Sequence, residues 1–117
     1  MIQRTLKHIL KKNLHKGKAL VLLGARQVGK TTLLQDLLHG VDKTLWLTGD
    51  ELETQRLFEN PTITRFAAEF SGVKYLVVDE AQRLPNVGLG LKLITDHLKE
   101  IQLLVTGSSA FELANRL

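Results

Sequence analysis

An apolar run followed by a glycine-bounded loop and a helical pattern constrains the fold of this chain more than any other feature. Residues 19–23, ALVLL, are continuously apolar and short enough to form a strand that is buried on both faces. Residues 24–32, GARQVGKTT, follow at once, and leucines then recur at helical spacing, at Leu33, Leu34, Leu37 and Leu38. A strand, a loop and a helix in this order are typical of a parallel sheet covered by helices.

The loop itself fits the pattern G-x-x-x-x-G-K-[ST] at every specified position. Between a strand and a helix this pattern predicts a phosphate-binding loop. Glycines let backbone N–H groups approach phosphate oxygens, and the start of a helix directs further N–H groups and a positive dipole end towards an anion. The predicted phosphate-binding residues are Gly24, Ala25, Arg26, Gln27, Val28, Gly29, Lys30, Thr31 and Thr32.

Several side chains of this loop receive individual roles. Lys30 is expected to place its ammonium on the β- and γ-phosphates, and Thr31 to offer its hydroxyl to Mg²⁺. Thr32 is expected to bind nearer the α-phosphate. Arg26 has two open interpretations, a phosphate contact or an exposed loop charge.

The rest of the chain repeats the alternation of short apolar runs and helical patterns. Asn60 precedes Pro61, which disfavours helical angles there and breaks the helix predicted around it. The order predicts an α/β protein, with three layers (α/β/α) around a parallel sheet. Beyond the first strand and its helix, the predicted strands cover 43–49, 74–80 and 101–107, and the predicted helices 2–14, 51–70, 89–100 and 109–117.

Two acids close the third strand, in YLVVDEAQ at residues 75–82. At a strand end, adjacent acids can both reach one cleft. Asp79 is then expected to hold Mg²⁺, usually through water, and Glu80 to act as general base on the attacking water. The alternative is that both acids are exposed and cap the next helix.

Hydroxyl groups close the fourth strand, which ends in Thr106-Gly107-Ser108-Ser109. Ligands of open α/β sheets bind at the carboxyl ends of the strands, so a hydroxyl there can sense the γ-phosphate or position the water. Thr106 is the first candidate and Ser108 the second. A helix cap is an equally open interpretation for Ser108 and Ser109.

Composition narrows the classes of protein. The chain has no cysteine, which excludes disulfides and thiolate metal sites. No apolar run approaches a membrane span and no signal-peptide pattern is present, so a cytoplasmic protein is expected. A GTPase is disfavoured because DEAQ stands where D-x-x-G is expected and N-K-x-D is missing. A small-molecule kinase would not need the paired acids.

Charge is unevenly distributed along the chain. The first 35 residues carry eight of the 16 Lys and Arg and none of the 12 Asp and Glu. This basic segment is compatible with DNA as a partner or with a solvated helix face. Binding of single-stranded nucleic acid would favour aromatic side chains among the basic residues, and this segment contains none.

The segments GARQVGKTTLL, YLVVDEAQRLPN and QLLVTGSSAFELANRL together resemble AAA+ ATPases, and more narrowly the AAA domains of a widespread, largely uncharacterised prokaryotic group. The resemblance spans the whole chain. It implies a P-loop NTPase sheet in the order 5-1-4-3-2, with the fifth strand missing from this chain. It further implies one nucleotide-binding domain over residues 1–117, opening with a basic amphipathic helix at 1–16, as the N-terminal part of a longer protein.

The same resemblance assigns Thr106 or Ser108 to the sensor position. It places Arg116 where many such proteins carry an arginine finger for a neighbouring subunit, although a surface arginine is an open alternative. Arg83 likewise has two open interpretations, a contact with a neighbouring subunit or a solvated surface charge. A homo-oligomer through either arginine is therefore an expectation.

Two functions follow. The first is Mg²⁺-dependent binding and hydrolysis of ATP, weak in the isolated domain. The second is a nucleotide-gated interaction module with negligible hydrolysis.

Overall fold

A computed structural model describes residues 19–23 and 28–108. The predictions for the N-terminal helix, for residues 24–27, and for the final helix with Arg116 lie outside the described residues. None of the helices in the described part of the chain has the length and apolar character of a membrane-spanning segment.

The described elements alternate as the sequence predicts. The strands are β1 (Leu20–Leu23), β2 (Thr44–Thr48), β3 (Tyr75–Asp79) and β4 (Gln102–Gly107). The helices are α1 (Val28–Leu37), α2 (Leu52–Glu59), α3 (Ile63–Glu69) and α4 (Val87–His97), and a 3₁₀ turn spans Ala81–Arg83.

The predicted break at Pro61 is confirmed, because the segment 51–70 forms two helices. Asn60 leaves the helical region with φ −136° and ψ 73°, as expected for a residue before proline. Thr62 then caps α3, since its hydroxyl accepts a hydrogen bond from the backbone N–H of Arg65 at 3.1 Å.

The four strands form one parallel sheet in the order β1-β4-β3-β2. This confirms the α/β class and the 1-4-3-2 part of the expected order. The central position of β4 puts the end of this strand between the end of β1, which precedes the glycine-bounded loop, and the end of β3, which carries the acids.

The sheet is covered on both faces, and the alternation of strand residues assigns each apolar side chain to one face. Val77 and Leu104 pack with α1 through a small cluster on one face. The larger cluster on the other face joins the strands to α2, α3 and α4, with members that include Phe58, Phe66, Leu76, Val78, Leu91, Ile94, Leu103 and Val105. The three predicted layers are therefore present.

Candidate functional site

The ends of β3 and β4 bring two predicted site residues to the same place. Val78 pairs with Val105, so the next residues along, Asp79 and Thr106, lie side by side at the carboxyl edge of the sheet. Asp79 lies two positions after Val77, and Thr106 lies two positions after Leu104. Val77 and Leu104 both pack on the α1 face. Because side chains alternate along a strand, Asp79 and Thr106 lie on the α1 face as well.

Hydrogen bonds join these two residues to Glu80. The hydroxyl of Thr106 donates to Oδ1 of Asp79. The backbone N–H of Glu80 donates both to Oδ1 of Asp79 and to Oγ1 of Thr106, each at 3.1 Å. Thr106 is only 1% exposed. A buried hydroxyl that donates to one group and accepts from another fixes the relative position of β3 and β4.

Glu80 adopts a backbone conformation that is unusual for its residue type. With φ 52° and ψ 46° it lies in the left-handed region, which costs a residue with a Cβ about 1–2 kcal/mol. The two hydrogen bonds to its N–H stabilise this conformation. The chain therefore turns sharply after Asp79, and the side chain of Glu80 is buried rather than exposed as a helix cap. Its Oε1 accepts a hydrogen bond from Nε2 of Gln82 at 2.9 Å.

Gln82 is a site neighbour to which the sequence analysis gave no role. Besides its bond to Glu80, its Oε1 accepts from the backbone N–H of Ser108 at 3.2 Å. Ser108, the second sensor candidate, thus enters this network through its backbone. The position of Gln82 two residues after Glu80, in DEAQ, was the only available signal, and it does not by itself indicate a contact with β4.

Gly49, immediately after β2, was also missed. Its N–H donates to the carbonyl oxygen of Asp79 at 2.7 Å. A Cβ on Gly49 would lie 2.2 Å from the carbonyl oxygen of Glu80 and 3.1 Å from Cβ of Arg83. The backbone of β2 can therefore approach the turn after Asp79 this closely only because residue 49 has no side chain.

We expect Gly49→Ala to destabilise the fold and to displace Glu80. Relieving a 2.2 Å contact with a backbone oxygen requires movement of the main chain, at a cost of about 2 kcal/mol. Thermal unfolding measured by circular dichroism should show a midpoint lowered by about 5–10 °C.

Asp50→Ala is the matched control for this variant. Asp50 adjoins Gly49 and pairs with Arg83 at 2.9 Å, but both side chains are well exposed, so removing the pair should cost under about 1 kcal/mol. If Gly49→Ala unfolds at the same temperature as the control, the close approach does not constrain the site. Arg83, the candidate subunit contact, is in this structure the partner of Asp50.

The predicted phosphate-binding residues are described in part. Val28, Gly29, Lys30 and Thr31 form the first turn of α1, and Thr32 follows as an exposed helical residue. Gly24, Ala25, Arg26 and Gln27 lie outside the described residues. Only four residues separate Leu23 from Val28, so α1 begins close to the sheet edge that carries Asp79 and Thr106.

At this edge of the sheet, Asp79 supplies a carboxylate and Thr106 a hydroxyl. Among residues 19–23 and 28–108, no three His, Cys, Asp or Glu side chains are grouped as a metal site. Mg²⁺ in nucleotide sites typically takes one or two carboxylates and completes its shell with phosphates and water. Asp79, next to a hydroxyl and on the face of α1, fits that ligand set.

A parallel sheet in the order 1-4-3-2, a glycine-bounded loop between its first strand and helix, and two acids at the end of β3 define a P-loop nucleotide-binding fold. The chain belongs to the AAA domain family, which matches it over residues 16–117. P-loop ATP binding and hydrolysis are general to that family, and the resemblance seen in the sequence is confirmed. No curated protein and no solved structure matches the chain.

Proposed function

We propose that this domain binds Mg²⁺ and ATP and hydrolyses ATP, transferring the γ-phosphoryl group to water. The observation that carries the proposal is the network at the carboxyl edge of the sheet, in which Thr106, on the side of α1, contacts the carboxylate of Asp79 and the backbone N–H of Glu80. A structural pair of acids would need neither the buried hydroxyl nor the turn that buries Glu80. An ATPase needs both a metal ligand and a base held at fixed positions.

The residues divide the chemistry between them in this proposal. Residues 24–29 surround the phosphates with backbone N–H groups, and Lys30 contributes a positive charge to the β- and γ-phosphates. Thr31 and Asp79 hold Mg²⁺, which when bound neutralises charge on the phosphate oxygens. Thr32 binds nearer the α-phosphate. Glu80 accepts a proton from the attacking water.

Thr106 is the better sensor candidate. Its hydroxyl contacts the proposed metal ligand Asp79 and the backbone of the proposed base. A displacement of Thr106 would therefore affect both acids. Ser108 contributes a backbone N–H instead.

A steady-state phosphate-release assay separates this proposal from a nucleotide-gated module. The unchanged chain with Mg²⁺ and ATP should release phosphate above the background set by a Lys30→Ala preparation purified in the same way. Tight ATP binding without release above that background would favour the module and overturn the enzymatic proposal.

A further inference from the structure

The side chain of Gln82 connects two parts of the site that are distant in sequence. Nε2 donates to Oε1 of Glu80 at 2.9 Å, and Oε1 accepts from the N–H of Ser108 at 3.2 Å. An amide is suited to this bridge because it carries a donor and an acceptor at one end of a neutral chain. Gln82 therefore ties the carboxylate of Glu80 to the residue that directly follows β4.

The backbone of Gln82 is itself firmly placed. It lies in the 3₁₀ turn, between the fully buried Ala81 and Arg83, whose N–H donates to the carbonyl oxygen of Glu80 at 3.1 Å. The N–H of Leu84 donates to Ala81 at 3.0 Å and closes the turn. The side chain of Gln82 thus extends from a fixed backbone position, so its two hydrogen bonds constrain Glu80 and Ser108 relative to each other.

We propose that Gln82 is a positioning residue that sets the orientation of the Glu80 carboxylate according to the position of the end of β4. The inference rests on the proposed function, in which Glu80 is the base. Thr106 holds the backbone of Glu80 and the carboxylate of Asp79, whereas Ser108 acts through Gln82 on the carboxylate of Glu80. The end of β4 thereby controls both acids, and a displacement there reorients the base together with the metal ligand.

Two substitutions distinguish the effects of the two hydrogen bonds made by the side chain of Gln82. Gln82→Met has a similar unbranched shape and removes both. Gln82→Glu keeps an acceptor for the N–H of Ser108 but replaces the donor to Glu80 with a second carboxylate. Each variant is compared with the unchanged chain for kcat, for the Kd of ATP in the presence of Mg²⁺, and for hydrogen exchange at the Ser108 amide.

Both variants should lower kcat by about tenfold, because a base that loses the hydrogen bond from Gln82 loses part of the 10²–10⁴-fold that general-base catalysis supplies. The Kd of ATP should stay within about twofold, since Gln82 acts on the base and not on nucleotide binding. Exchange at Ser108 should accelerate in Gln82→Met and stay near that of the unchanged chain in Gln82→Glu.

The remaining outcomes overturn the proposal in distinguishable ways. If the unchanged chain turns over ATP and both variants match it, Gln82 does not position Glu80 and the proposed function stands. If Kd weakens in proportion to kcat, Gln82 supports the site as a whole rather than the base. If the unchanged chain releases no phosphate, the proposed function and this inference fail together.

Discussion

Glu80→Gln is expected to retain ATP binding while turnover falls by about 10²–10⁴-fold, the range that a general base contributes. An amide cannot accept the proton of the attacking water, yet it has the shape of the carboxylate. Its oxygen can still accept the hydrogen bond from Nε2 of Gln82, and the bonds of the residue 80 N–H to Asp79 and Thr106 are unchanged. The measurement is steady-state phosphate release alongside the Kd of ATP with Mg²⁺.

Glu53→Gln makes the same chemical change at an exposed position in the first turn of α2, and it should leave turnover unaltered. Unchanged turnover in Glu80→Gln would remove the role assigned to Glu80. Loss of ATP binding together with turnover would show instead that the carboxylate supports the nucleotide site as a whole, which its contact with Gln82 does not lead us to expect.

The sequence predicted the sheet and the position of the acids because both depend on local patterns. Short apolar runs such as 75–78 indicate buried parallel strands, and the glycine-bounded loop identifies which strand is first. Since parallel strands share one carboxyl edge, Asp79 and Thr106 could be expected near each other from their positions at strand ends. The hydrogen bond between them agrees with that expectation.

The contacts that orient Glu80 could not be predicted from the sequence. The approach of Gly49 to the carbonyl oxygen of Glu80 depends on how β2 pairs with β3, and no local pattern encodes that distance. The left-handed conformation of Glu80 runs against the preference of its residue type, so propensity predicts the opposite. The bridge from Gln82 to Ser108 joins residues 26 positions apart, through a side chain that any exposed turn could carry.

Thr106→Val is expected to weaken the fold more than the change at Gly49, and to slow turnover as well. Valine matches threonine in shape but cannot donate to Asp79 or accept from the N–H of Glu80. Because Thr106 is almost completely buried and one of its partners is a carboxylate, we expect a loss of about 3 kcal/mol in the free energy of unfolding. The midpoint of thermal unfolding should fall by about 10–20 °C.

Thr106→Ser separates the hydroxyl from the rest of the side chain. Serine keeps both hydrogen bonds and removes one buried methyl group, which should cost about 1 kcal/mol. Turnover measured well below the unfolding midpoint should therefore fall at least about tenfold in Thr106→Val and change little in Thr106→Ser, if the hydroxyl aligns Asp79 and Glu80 for catalysis. Equal turnover in the two variants would limit Thr106 to a structural role at the junction of β3 and β4.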